Sequence, residues 1–208
     1  MLGLSLPGRI RVLCLGAHPD DIEIGCGGTL LRLKDSHDVE VTNVVLTGSS
    51  DRAEEAVEAA SLFAQAEVVM FDFPDGRLPA HWGDVKEALE EVARGPVPDL
   101  LLAPSRDDAH QDHRLLAQLV TTVWRDVLVL SYEVPKWDGD FLSPTHYVPL
   151  SAEVAQRKVQ LLNKAYPSQH GRDWWDDDLF LGVMRLRGME CRARYAEAFT
   201  VSKAILSV

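Results

Sequence analysis

The chain has 208 residues, with 21 Lys plus Arg against 32 Asp plus Glu, so its formal net charge is −11, and 46% of its residues are hydrophobic. This balance excludes a basic nucleic-acid binder and a disordered acidic tail, and it leaves enough apolar side chains for a sizeable core. No apolar run approaches the roughly 18 residues of a membrane span. The Leu-rich start from Met1 to Leu6 is cut short by Pro7, Arg9 and Arg11, so the sequence reads as untargeted and soluble, without a nucleic-acid or membrane partner. Cys14, Cys26 and Cys191 are far apart and form no CxxC. They fit a reducing cytoplasm better than a disulfide framework or a Cys-based zinc site.

In chain order, the pattern alternates strand and helix. Ile10 to Leu15 is a short apolar run that leads into a turn-prone stretch and a helix at Thr29 to Asp35. Val39 to Leu46 reads as the next strand, and the Ala- and Glu-rich segment Arg52 to Gln65 as a helix. Glu67 to Phe71 follows as a strand, then a loop with Pro74, Asp75, Gly76 and Pro79. The spacing next predicts a helix at Asp84 to Arg94, a strand at Leu100 to Ala103, a helix at Asp112 to Trp124 and a strand at Val127 to Tyr132. Strands apolar at nearly every residue, separated by helices, require a parallel sheet covered on both faces, hence a doubly wound α/β sheet. Past Glu133 the pattern changes, because Pro135, Pro144 and Pro149 interrupt it. A helix at Ser151 to Ala165 and an amphipathic stretch at Asp176 to Arg187 follow, and Tyr195 to Val208 is left untyped. The expectation is one domain over residues 1–208, with a sheet core at 1–133 and a C-terminal appendage at 134–208.

Two clusters could carry chemistry. The first, Gly16-Ala17-His18-Pro19-Asp20-Asp21-Ile22-Glu23, follows the first strand and precedes Gly25-Cys26-Gly27-Gly28. In such sheets, ligands sit outside the carboxyl ends of the strands. Strand and helix capping with a tight glycine turn would explain one carboxylate of the cluster, not all. A dinucleotide fingerprint is absent, and three acidic side chains would repel a pyrophosphate. The second cluster, Pro104-Ser105-Arg106-Asp107-Asp108-Ala109-His110-Gln111-Asp112-His113-Arg114, follows the fourth strand and places two histidines three apart on a first helical turn. Alone the pair reads as a surface turn. Converging with the first cluster it reads as a Zn²⁺ site, since His and Asp suit that ion and a catalytic site keeps one open position.

These two clusters resemble those of the PIG-L/LmbE-like family of zinc-dependent N-acetyl-sugar deacetylases. His18-Pro19-Asp20-Asp21 with Glu23 matches the family's H-P-D-D motif, and His110-Gln111-Asp112-His113 matches its H-x-D-H motif. The likeness continues through Arg52 and Glu55, the Phe73-Pro74-Asp75-Gly76-Arg77-Leu78 loop, Ser168-Gln169 and Tyr195-Ala196-Glu197-Ala198-Phe199. The resemblance implies a Rossmann-like fold, zinc held by His18, Asp21 and His113, Asp20 as general base, and His110 as the cationic partner of the tetrahedral intermediate. Asp112 or Asp108 then remains to hold the His110 ring. The substrate implied is a small N-acetylated sugar or glycoside. An amidase of a thiol-sugar conjugate and a noncatalytic metal-containing binding module are the rivals, and a homo-oligomer stays open.

Outside the motifs, Arg52 reads as a substrate contact, with pairing to Glu54 or Glu55 the competing role. Trp137, Trp174 and Trp175 could stack on a sugar, but core packing is the safer expectation. His37, His81 and His170 read as surface or capping residues, and His146 as a substrate contact to be tested. Cys26 reads as a small buried thiol.

Overall fold

The first strand shows how the sheet acquires two cores. Along β1, Arg9–Gly16, successive side chains point to opposite faces. Ile10, Val12 and Cys14 enter one apolar cluster, while Leu13 and Leu15 enter another. The strand therefore reads as a nearly unbroken apolar run, because neither face meets water. The computed structural model describes residues 3–205. Met1 and Leu2, and the last three positions of the untyped C-terminal segment, lie outside the described residues.

After β1 come α1 (Asp21–Ser36), β2 (Asp38–Thr47), α2 (Ser50–Ala64), β3 (Glu67–Phe73), a short 3₁₀ turn (Leu78–His81), α3 (Trp82–Val92), β4 (Leu100–Pro104), α4 (Gln111–Val123) and β5 (Leu128–Tyr132). The C-terminal part adds β6 (His146–Leu150), α5 (Ala152–Ala165), a 3₁₀ turn (Pro167–Gln169), α6 (Asp177–Glu190) and β7 (Tyr195–Thr200). The strands form one seven-stranded sheet in the order β3-β2-β1-β4-β5-β7-β6. Pairings from β3 through β5 are parallel, and β7 runs antiparallel to both β5 and β6. Helices α1, α2, α5 and α6 cover one face, through residues such as Leu30, Phe63, Leu162 and Met184. Helices α3 and α4 cover the other, through Leu89, Leu116 and Leu119. The fold is the expected doubly wound, mostly parallel α/β sheet. Among the described residues no helix is long and apolar enough to cross a membrane.

Two regions differ from the sequence reading. The C-terminal part, expected as an appendage at 134–208, continues the same sheet within its described residues by β6 and β7 and supplies two of the covering helices. Pro149 hides β6 in the sequence, yet β6 is the sheet edge, where a missing N–H costs no ladder bond. The second difference is α1, which begins at Asp21 and runs through the glycines instead of starting at Thr29. Glycine is a poor helix former by about 1 kcal/mol, but here the helix needs close approach. A Cβ on Gly25 would lie 2.2 Å from Tyr132 Cδ2, and one on Gly28 would lie 2.6 Å from Leu150 Cδ1.

The same helix is broken at Cys26 (φ −142°, ψ 16°). A break leaves peptide groups without helical partners, and two side chains from distant elements take them up. Glu197 on β7 accepts the Gly28 and Thr29 N–H groups at 2.8 and 2.6 Å. Lys158 on α5 donates to Ile24 O and to Glu197 Oε1, both at 2.6 Å. The first turns of α1 are thereby fixed against the sheet, which fixes the residues they carry.

Candidate metal centre

In the strand order 3-2-1-4-5, the chain departs from β1 toward one side of the sheet and from β4 toward the other. The crevice outside the carboxyl ends of these two strands is where such a sheet binds ligands. Both sequence clusters open there, one from the β1–α1 turn and one from the β4–α4 turn. His18, Asp20, Asp21, Asp112 and His113 are all buried. The β1–α1 turn is held from below by Tyr166, whose hydroxyl lies 2.7 Å from Pro19 O and 2.6 Å from Glu23 Oε2.

Three donor atoms converge. His18 Nδ1 and His113 Nε2 are 3.1 Å apart, Asp21 Oδ2 is 3.1 Å from His113 Nε2, and Asp21 Oδ2 is 3.5 Å from His18 Nδ1. Ligands arranged tetrahedrally at about 2.0–2.1 Å around zinc stand roughly 3.3 Å from one another, so this triangle has the size of one face of such a site. Two other triples lie nearby: His18, His110 and His113, and His18, Asp75 and Asp112. The second of these uses the other His18 nitrogen. Asp75 Oδ1 and Asp112 Oδ2 stand 3.0 and 3.4 Å from His18 Nε2, out of line for a hydrogen bond, and that buried nitrogen has no partner.

The surrounding hydrogen bonds favour the triangle. His113 Nδ1 is 2.7 Å from Asp108 Oδ2, which draws the ring hydrogen to Nδ1 and leaves Nε2 as a lone pair facing the other donors. Asp108 is itself held by the His110 N–H at 2.7 Å and by Lys136 Nζ at 3.0 Å. The electrostatics agree. Burial would raise the Asp21 carboxyl, yet the His113 and His18 imidazoles hold it well below the usual range. Burial would lower both imidazoles, but the facing carboxylates push His18 up to about 12 and His113 up to about 9. The donor set, its size and its outer partners therefore fit a zinc ion held by His18, Asp21 and His113.

Asp20 stays outside the triangle. Its Oδ1 accepts from Arg52 Nη2 at 2.7 Å. Burial holds its carboxyl above the ordinary carboxylate value despite that guanidinium. Arg52 thus reaches the site but is engaged with Asp20, while Glu55 turns away to accept from Ser168 N and Oγ at 2.7 and 2.6 Å. Arg52 Nε is buried without a hydrogen-bond partner.

His110 caps α4, its Nδ1 accepting the Asp112 N–H at 3.3 Å, which leaves the ring hydrogen on Nε2. Burial and the neighbouring His18 and His113 hold its pKa below the ordinary histidine value. The carboxylates are placed differently from the expectation. Asp108 serves the His113 ring, not the His110 ring. Asp112 accepts the backbone N–H groups of Gly76 and Leu78 at 2.8 and 3.1 Å, so it anchors the Asp75 loop rather than orienting His110. Gly76 has φ +71°, a conformation that glycine adopts without a steric penalty, and its N–H is the one that Asp112 holds.

A cavity of about 180 Å³ lies over these groups and is lined by His18, Asp20, Asp21, Arg52, Asp75, His110 and His113. Val134, Lys136, Trp137, Gln169, Arg172 and Trp174 complete its wall. Two sequence expectations fail here. His146 lies on the edge strand β6, its ring beside Thr145 Oγ1, and does not line the cavity. Trp137 is not core, being 65% exposed at the cavity wall, whereas Trp174 and Trp175 do pack against the core. Cys26 is the buried thiol expected, donating to Ile22 O.

The model of the PIG-L family, GlcNAc-PI de-N-acetylase, matches residues 13–124. An uncharacterized deacetylase of Escherichia coli (strain K12), YaiS, is 32% identical over 168 residues, 75% of this chain and 90% of its own length. A diacetylchitobiose deacetylase of Thermococcus kodakarensis is 32% identical over 122 residues, 50% of this chain and only 45% of that protein. Among solved structures, the N,N'-diacetylchitobiose deacetylase from Pyrococcus horikoshii, complexed with its inhibitor MPG, superposes with a TM-score of 0.70 at 22% identity. That superposition covers 92% of this chain and 83% of the other, a likeness of fold.

Proposed function

Because the chain belongs to the PIG-L, GlcNAc-PI de-N-acetylase, family, we propose that it is a zinc-dependent hydrolase that removes the acetyl group from an N-acetylated amino-sugar. The observation that carries this reading is the triangle of His18 Nδ1, Asp21 Oδ2 and His113 Nε2 with the Asp20 carboxylate left outside it in the same cavity. Zinc, when bound there, supplies Lewis-acid chemistry: it acidifies a water and polarises the amide carbonyl.

The remaining steps fall to this chain's side chains. Arg52 holds Asp20 Oδ1, so Oδ2 is the oxygen left to take the proton of the attacking water. Water adds to the carbonyl carbon, the C–N bond then breaks, and Asp20 returns the proton to the leaving nitrogen, giving acetate and a free amine. His110 donates from Nε2 to the oxyanion that forms on the substrate. It does so as a neutral imidazole, because Asp112 N–H fixes its tautomer. Asp108 keeps His113 in the ligating tautomer, and Asp112 holds the Asp75 loop at the cavity wall.

The test is acetate release from a panel of N-acetylated sugars, with zinc content measured on the same preparations. Release by the wild type, and loss of most zinc and of release in His113→Ala, is the expected result. Full zinc retention in His113→Ala removes that residue from the ligand set, and absence of release from every sugar removes the substrate class.

A further inference from the structure

The cavity floor is deeply buried, with His18 at 8% and His113 at 2% exposure, but Trp137 at its wall is 65% exposed. An indole is more often covered than left in water, and this one is held in place without being covered. Its Nε1 donates to Asp173 at 2.8 Å, and its ring meets Trp174 edge to face at 6.0 Å. Trp174 in turn packs on Trp175, and Trp175 on the buried Phe180, at 5.6 and 5.2 Å. The loop carrying Trp137 is fixed on both sides. Lys136 Nζ reaches Asp108, and Asp140 accepts the Ala109 N–H at 2.6 Å. Farther out, Glu133 closes the loop by accepting the Leu142 N–H at 3.2 Å while paired with Arg187. Through Asp108 the loop is tied to the ring of His113. So the position of an exposed indole is set relative to the centre of the site.

Size supplies the second observation. A cavity of about 180 Å³ falls below the roughly 300–1,000 Å³ of pockets that enclose a drug-sized ligand. An acylated unit seated over the donor triangle would place the next unit toward the rim, where Trp137 stands. We infer that Trp137 is a specificity-determining residue: its indole is the platform on which the sugar ring adjoining the acylated one lies, so the preferred substrates contain at least two rings. A pyranose presents a face of C–H groups, and an indole that is already immobilised covers that face without a further loss of side-chain freedom. The inference rests on the deacetylase reading for the identity of the acylated unit.

The experiment compares one-ring N-acetylglucosamine with two-ring diacetylchitobiose in the zinc-loaded wild type, Trp137→Ala and Trp137→Phe. In Trp137→Ala, kcat/KM for the two-ring sugar should fall about tenfold more than for the one-ring sugar, with the difference in KM, and Phe should recover most of it. Equal losses for the two sugars, or a loss that lies in kcat and that Phe does not repair, would overturn the assignment to a sugar platform. If the wild type releases acetate from neither sugar, calorimetric binding of diacetylchitobiose decides on Trp137 separately, and the deacetylase reading falls only when every sugar of the panel also fails. Binding weakened about tenfold in Trp137→Ala supports the platform, and no binding or unchanged binding overturns it.

Discussion

At the residue scale, the site is organised by hydrogen bonds behind the donor atoms as much as by the donors themselves. Asp108 never faces the Asp21 side of the triangle, yet it sets the His113 tautomer at 2.7 Å. Outer partners of this kind carry about 10–100-fold in metal affinity, so Asp108→Ala should lose zinc to a competing chelator at roughly that advantage while remaining folded. Unchanged competition would mean that His113 needs no such partner. His110→Ala should behave in the opposite way, keeping zinc and losing turnover by about 10²–10³-fold, the range for one oxyanion donor. The residues proposed as ligands were legible in the sequence because each motif is local: His18 and Asp21 share one turn, and His113 follows His110 on the first turn of α4. Their supporting residues were not. Lys136 arrives on a loop that sequence spacing does not tie to either motif, and Asp108, which the sequence offered for the His110 ring, serves His113 instead.

At the element scale, α1 carries the tension between propensity and packing. The run Gly25-Cys26-Gly27-Gly28 reads as a loop because three glycines weaken a helix. The structure makes it helical, and the glycines are needed there because Tyr132 and Leu150 leave no room for side chains at Gly25 and Gly28. Gly25→Ala should therefore destabilise the fold by about 1–3 kcal/mol, an overpacking cost, despite alanine's better propensity. Denaturant unfolding reads the sign directly, and a stabilised variant would show that the helix can shift away from Tyr132. The break at Cys26 makes a second demand. Lys158 and Glu197 are each buried and complete the peptide groups on its two sides. Lys158→Met leaves the Glu197 carboxylate uncompensated, and removing one partner of such a pair costs about 3–5 kcal/mol. A loss below about 1 kcal/mol in denaturant unfolding would show that the Gly28 and Thr29 N–H groups alone satisfy Glu197.

At the scale of the whole molecule, the β-then-α order made the parallel part of the sheet readable, and with it the location of the crevice between β1 and β4. The antiparallel edge was not readable, since Pro149 masks β6 and the contribution of β7 depends on its meeting β5 and β6. The site joins these parts: its donors come from turns after β1 and β4, and its wall comes from the loop that leads to β6. Zinc bound only by the folded chain adds stability of about 2.7 kcal/mol at a hundredfold excess over its dissociation constant. Metal removal should accordingly lower Tm, readdition should restore it, and His113→Ala should show no zinc-dependent shift. A zinc-dependent shift of wild-type size in that variant would place the ion elsewhere. The most direct test separates holding the metal from moving the proton. Asp20→Asn keeps the shape of the side chain and its place beside Arg52 but cannot accept a proton, so it should match wild-type zinc content while acetate release falls by roughly two to four orders of magnitude. Wild-type release from zinc-filled Asp20→Asn would contradict the assignment of Asp20 as the base.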